Sequence, residues 1–135
     1  MHLPKKLWLI GALSVLVAGF FVYQYVLTSA LSFHCIHSVL SETTSPDGRY
    51  IATVSQRGCG VTTHDYRVVS IRRRGSKFDG ENQKSWVFWM ENGPDISANW
   101  QGEHQLVVAY SAMMGKKVEV PLWKDVIITS REVIR

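Results

Sequence analysis

From Leu7 to Ser41 the sequence contains no Asp, Glu, Lys or Arg, and from Leu7 to Phe33 it is apolar or small almost throughout, with Gln24 its most polar member. A bilayer core of roughly 30 Å needs about 20 helical residues, and this run exceeds that. A plain soluble globule is excluded. Trp8 stands at one end of the run and Tyr23 and Tyr25 near the other. Between Trp8 and Tyr25 a helix rises ~26 Å, close to the spacing of the two aromatic belts of a membrane. Lys5 and Lys6 precede the run, and no Lys or Arg follows until Arg49. The positive-inside rule then places the N-terminus in the cytoplasm and the rest of the chain outside it. Residues 1–33 read as a basic head and single membrane anchor, and residues 34–135 as an extracytoplasmic domain.

A cleaved signal peptide competes with the anchor. Its apolar region should be only about 7–15 residues long. The best cleavage candidate, Thr28-Ser29-Ala30, matches A-x-A poorly, and Cys35 follows Phe33-His34 where a lipoprotein site needs a small residue. The anchor is the leading reading, and both readings export the domain. Gly11, Ser14 and Gly19 read as ordinary small residues of a membrane helix.

All eleven acidic residues fall at or after Glu42, against 15 Lys and Arg over the whole chain. With 46% hydrophobic and 19% charged residues the chain is not disordered. The exported part has room for one small core and hardly for a deep cofactor cleft as well. It reads as strands. Ser45-Pro46-Asp47-Gly48 is a turn, in which Pro presets φ, Asp caps and Gly takes positive φ. Arg49 to Gln56 follows, with Tyr50, Ala52 and Val54 on one face and Ile51, Thr53 and Ser55 on the other, the pattern of a half-buried strand. Arg57-Gly58-Cys59-Gly60 breaks the run. Asp65–Arg74 and Trp86–Met90 are strands separated by the polar loop Gly75–Ser85, and Asn92-Gly93-Pro94-Asp95 turns the chain. Ile96–Trp100 and Gln105–Ser111 form a hairpin around residues 101–104. After a loop at Met113–Lys117, Val118–Leu122 and Val126–Thr129 close the domain, with Pro121 marking an edge. The predicted fold is mainly β: one N-terminal transmembrane helix, then a small antiparallel sheet or sandwich.

Ser45-Pro46-Asp47-Gly48-Arg49-Tyr50-Ile51-Ala52 resembles the hairpin start common in β-propeller blades, but one copy cannot close a propeller. A wider resemblance takes in Cys59-Gly60-Val61-Thr62-Thr63, the strand Tyr66–Ile71 and the Trp100 to Tyr110 stretch, W-x-x-x-x-x-L-x-V-x-Y. Together these are similar to a family of small bacterial exported or membrane-anchored β-rich proteins of unknown function. The resemblance implies a fold and no activity.

Cys35 and Cys59 are the only cysteines, and both lie in the exported part. A disulfide between them is the leading reading, since exported compartments favour it. Two others stay open: Cys59 as a nucleophile with His64 as base, or His34, Cys35, His37 and Cys59 as metal ligands, although H-C-x-H is not a standard zinc spacing. Thr62, Thr63, His64 and Asp65 form a polar cluster that reads first as turn chemistry and second as a ligand site. No G-x-S-x-G, H-E-x-x-H, phosphate-loop or dinucleotide-binding pattern occurs. Neither an enzyme nor a cofactor is expected.

Arg72-Arg73-Arg74-Gly75-Ser76-Lys77 is the one dense basic stretch. Nucleic acid is a poor partner outside the cytoplasm; anionic headgroups or an acidic protein patch fit better. Strict alternation puts Trp86, Phe88 and Met90 on one face of their strand and Val87 and Trp89 on the other. Two layers must cover both faces, or one face binds a partner. Arg72, Arg73, Arg74, Lys77 and Trp89 are therefore the candidate partner-binding residues. The expectation is a non-catalytic binding or inhibitor module at the cytoplasmic membrane, of the immunity type or an accessory subunit of an envelope complex, whose partners are the bilayer and another envelope or toxin protein. The alternative is a small envelope hydrolase or thiol-redox protein using Cys59 or the Thr62–Asp65 cluster.

Overall fold

The computed structural model describes residues 4–30, 35–60, 63–92, 95–111 and 115–134. They fall into two units, Met1–His34 and Cys35–Arg135. Among its described residues the first unit forms one helix, α1 (Lys5–Ala30). It is long and apolar enough to cross a membrane. Its large apolar residues, from Leu7 to Leu27, are exposed on all sides. Two of its hydroxyls are satisfied within the helix: Ser14 donates to the Gly11 carbonyl, and Thr28 to those of Gln24 and Tyr25. Each of those bonds spares the helix the cost that an unpaired donor would carry in hydrocarbon.

The second unit is mainly β. Its described strands are β1 (Ile36–Thr44), β2 (Tyr50–Gly58), β3 (Tyr66–Arg73), β4 (Trp86–Glu91), β5 (Ile96–Trp100), β6 (Gln105–Ser111), β7 (Lys117–Glu119), β8 (Leu122–Trp123) and β9 (Val126–Val133). They make a five-stranded sheet of order β1-β2-β3-β4-β7 and a four-stranded sheet of order β5-β6-β9-β8. One core lies between the two. Tyr50, Ala52, Val54, Val69, Ile71 and Phe88 from the first sheet cluster with Ala98, Leu106, Val108, Val126 and Ile128 from the second. Each fully buried Val, Ile, Leu or Phe contributes roughly 1.5–3 kcal/mol by leaving water.

Local chemistry explains the first hairpin. The Ser45 carbonyl accepts from the Gly48 N–H at 2.8 Å, Gly48 takes φ 73°, and the Asp47 carboxylate accepts from the Ser45 hydroxyl and the Arg49 N–H. β1 and β2 then pair from Thr44↔Ile51 back to Ile36↔Gly58, with Leu40 bulged out. β1 has no counterpart in the strands read from the sequence. It is a sheet edge, and Ile36, Val39 and Leu40 are all solvent-exposed, so no buried face imposes an alternating pattern.

The structure corrects other expectations. β2 is not half-buried: Thr53 and Ser55 are as inaccessible as Ala52 and Val54. Trp86 does not share a face with Phe88. Phe88 pairs with Val69 and Trp86 with Ser70, so Val87 is an extra residue at a bulge. The bulge sends Val87 into the core and turns Trp86 onto the outer face, where its ring meets Trp89 edge-on at 5.7 Å. The stretch Val118–Leu122 is not one strand. It breaks at Pro121, whose carbonyl accepts from the Ile128 N–H; β7 edges the first sheet and β8 the second. Pairing is antiparallel except for β6 and β9, which run parallel from Gln105↔Ile127 to Ser111↔Val133. A parallel neighbour needs a crossover of about a dozen residues or more, and in the described part of that connection β7 joins the first sheet and β8 the second. The Asn92–Asp95 turn and the Met113–Lys117 loop fall partly outside the described residues.

The outer face of the five-stranded sheet is covered by the β3–β4 connection. Glu81 accepts from His37 on β1 (2.8 Å) and from Arg57 on β2 (3.3 Å), and the Gly80 carbonyl accepts from the Trp86 indole (3.1 Å). Arg57 also stacks over the Trp86 ring, 5.8 Å from its centroid. Under this strap lie Thr53, Ser55, Val68 and Ser70, each under 5% exposed. A polar face is thus buried by a polar loop, which no hydrophobic periodicity announces.

Candidate functional site at the basic end of the domain

Tyr50 pairs with Arg73, so the start of β2 and the end of β3 lie at the same end of the sheet. Beyond them the β3–β4 connection and the β8–β9 turn border an open cavity of about 450 Å³. Its charged lining is Arg72, Arg73, Lys77, Lys84 and Lys124 against one acid, Asp79. Arg72 is committed: its guanidinium donates to Glu42 and to the Ser76 carbonyl, both at 2.9 Å. That contact holds the Glu42 carboxyl below its usual range. Arg73, Lys77, Lys84 and Lys124 form no ion pair among the described residues. Arg73 also borders a second cavity with Arg49 and Arg74, so the basic surface continues around the end of the sheet.

The walls are fixed by packing. Trp123 meets Tyr50 edge-on at 5.7 Å, its indole N–H donates to the Lys84 carbonyl at 2.9 Å, and Lys124 Nζ sits 4.6 Å from its ring centroid. Asp125, next in sequence, accepts from the Tyr50 hydroxyl at 2.6 Å and contacts His104 Nδ1 at 3.1 Å. The Tyr50 hydrogen bond, with smaller contributions from His104 and Arg49, holds the Asp125 carboxyl below its usual range, and raises the Tyr50 phenol. This network ties the β8–β9 turn to β2 and so sets where Lys124 stands.

The sequence candidates divide accordingly. Arg72, Arg73 and Lys77 come together at the cavity, with Arg74 beside them. Trp89 does not join them: it pairs with Val68, at the other end of β3, and packs half-buried against Trp86. Lys84, Trp123 and Lys124 complete the cavity although the sequence reading passed over them. Lys84 stands at the far end of the same β3–β4 connection as Lys77, whereas Trp123 and Lys124 come from the other sheet and arrive through packing, which no local signal marks.

Cys35 and Cys59 are joined in a disulfide. Ile36↔Gly58 is the last pair of the β1–β2 ladder, so the bridge occupies the next step and closes the open end of the hairpin. Neither cysteine is a thiol, so neither can act as a nucleophile or thiolate ligand while the bridge stands. His37 bonds Glu81 instead of facing the bridge as a ligand. His34 and Thr62 lie outside the described residues. Of the rest of the polar cluster, Thr63 bonds the Gly60 carbonyl, Asp65 accepts from Gln56, and His64 is exposed. Asp47, Glu103 and His104 place ligand atoms within 4.8 Å of one another. The Asp47 carboxylate, however, already accepts from Ser45 and twice from Arg49, and the Arg49 guanidinium opposes a second cation there. No model of a known protein family, no curated protein and no solved structure matches the chain.

Proposed function

We propose that this chain is a non-catalytic binding module held at the outer face of the cytoplasmic membrane of a bacterium. Its N-terminus stays inside, α1 spans the bilayer, and the β domain is displayed outside to engage another envelope protein or an incoming toxin. An immunity-type inhibitor and an accessory subunit of an envelope complex are the two concrete forms. The observation that carries the reading is the Cys35–Cys59 bridge in a chain headed by an apolar helix. A structural disulfide fits an oxidising compartment, and Lys5 and Lys6 give the helix its orientation. The same bridge removes the thiol on which the leading catalytic alternative depends, leaving the basic end as the densest uncompensated chemistry of the domain.

The test joins topology to capture. A reporter active only outside the cytoplasm, fused after Arg135, is expected to be active, and one active only inside to be silent. The mature chain is expected to keep its basic head. Cross-linking in intact cells, followed by detergent solubilisation, is expected to recover a partner that is lost on charge reversal of the basic end. The opposite reporter pattern, or a hydrolytic or redox activity of the purified chain, overturns the proposal.

A further inference from the structure

We propose that the basic end recognises an extended acidic segment of a partner protein, several Asp or Glu side chains in succession, rather than a phosphate group. This rests on the binding-module reading and names the chemistry of its partner. Residues from 35 onward carry 13 Lys and Arg and 11 acids, a difference of 2, yet the cavity alone sets five cations against one acid. The excess is local, and four of those cations have no ion-pair partner among the described residues. Such a field attracts an anionic surface and orients its approach.

The arrangement of donors selects the kind of anion. One class of phosphate site gathers converging backbone N–H groups at a helix N-terminus or a nest of turns, and another converges several Arg side chains on one point. Here the cations stand on three separate elements, the end of β3, the β3–β4 connection and the β8–β9 turn. The Ser76 and Ser85 hydroxyls are already given to the carbonyls of Arg73 and Asn82. Arg73 carries the charge onward to Arg74. The shape is a band of spaced positive charges, matched by carboxylates spaced along a chain.

The experiment uses the full chain in nanodiscs of zwitterionic lipid and a fluorescent oligoglutamate peptide, read by anisotropy. Binding is expected, weakening several-fold from low to high salt. The double variant Arg73→Glu/Lys77→Glu is expected to weaken it about tenfold or more. Arg131→Glu, an exposed charge on β9, is expected to leave it unchanged, and thermal melting of each variant checks the fold. Absence of oligoglutamate binding, or binding indifferent to the double variant, overturns the inference. So does inorganic polyphosphate, or nanodiscs containing phosphatidylglycerol, competing at Arg73 and Lys77 far more strongly than oligoglutamate. If the outward topology and a captured partner stand while these charge variants are silent, the acidic-segment inference fails and the binding module does not. An inward topology removes the module itself.

Discussion

Replacing Gly80 by Ala tests the strap over the outer face of the sheet. Gly80 has no positive φ, so by itself the change favours folding by about 0.4–1 kcal/mol, because the unfolded chain loses freedom. Against that stands the His37 ring. A Cβ built at Gly80 lies 2.8 Å from Cδ2 of His37 and closer still to Cγ and Nδ1. The ring is packed, with its side chain 10% exposed, and its Nε2 is held by Glu81. It cannot retreat without breaking that bond, and the loop cannot lift without breaking the bond from the Trp86 indole to the Gly80 carbonyl. Two hydrogen bonds at about 1 kcal/mol each, with a few tenths for the exposed Glu81–Arg57 pair, outweigh the entropic gain. Gly80→Ala should therefore destabilise by about 1–2 kcal/mol, a fall in Tm of roughly 5–15 °C for a domain of this size. Thermal unfolding of the full chain in detergent, followed by tryptophan fluorescence, measures it. In a His37→Ala background the clash is gone, and the same Gly80→Ala change should become neutral or slightly stabilising, a coupling that a double-mutant cycle reads directly. If Gly80→Ala is harmless in both backgrounds, the strap is not clamped through His37 and the reasoning fails.

Two further outcomes follow from the same geometry. Cys35→Ser, Cys59→Ser and the double variant should each cost about 3 kcal/mol for a bridge with a sequence separation of 24, with no further loss in the double, because all three release one constraint; a loss of activity confined to Cys59→Ser with melting unchanged would instead point to catalysis. Hydrogen bonds from Arg72, His37 and Tyr50 depress the Glu42, Glu81 and Asp125 carboxyls respectively, so on acidification the unfolded chain takes up protons first; the stability these groups contribute should be intact above their ordinary range near pH 4 and lost as pH falls through their lower folded values, and a Tm that rises on going from pH 5 to pH 3 would contradict it.

What the sequence made legible was whatever one side of an element could announce. The uncharged run, the S-P-D-G turn and the hairpin at residues 96–111 each carry their own signal. Three features did not. β1 is exposed along most of its length, so Ile36 and Leu40 had no buried partner to reveal a period. The Trp86 face depended on one extra residue, Val87, and a bulge reverses every side chain before it. The strap was invisible because it buries Ser and Thr under a loop of Asp, Glu, Asn and Lys, where hydropathy reports the opposite of what the structure does. The basic end was half legible for a related reason. Arg72 to Lys77 are adjacent in sequence and Lys84 closes the same connection, whereas Lys124 reaches them only through tertiary folding.

The position of the disulfide has a mechanical consequence. In the proposed arrangement, with the domain hung from a membrane helix and gripped by a partner, tension enters the domain at Cys35. β1 starts there, and it is an edge strand paired only with β2. Pulled from this end, an unbridged hairpin would open like a zipper, one pair at a time from Ile36↔Gly58 toward the turn, each step yielding at low force. The covalent link to Cys59 makes that mode unavailable. Load passes across the bridge into β2, which is flanked by both β1 and β3 and contributes Tyr50, Ala52 and Val54 to the core. The edge strand β1 is thereby taken out of the load path, and extraction has to detach an interior strand from two neighbours at once.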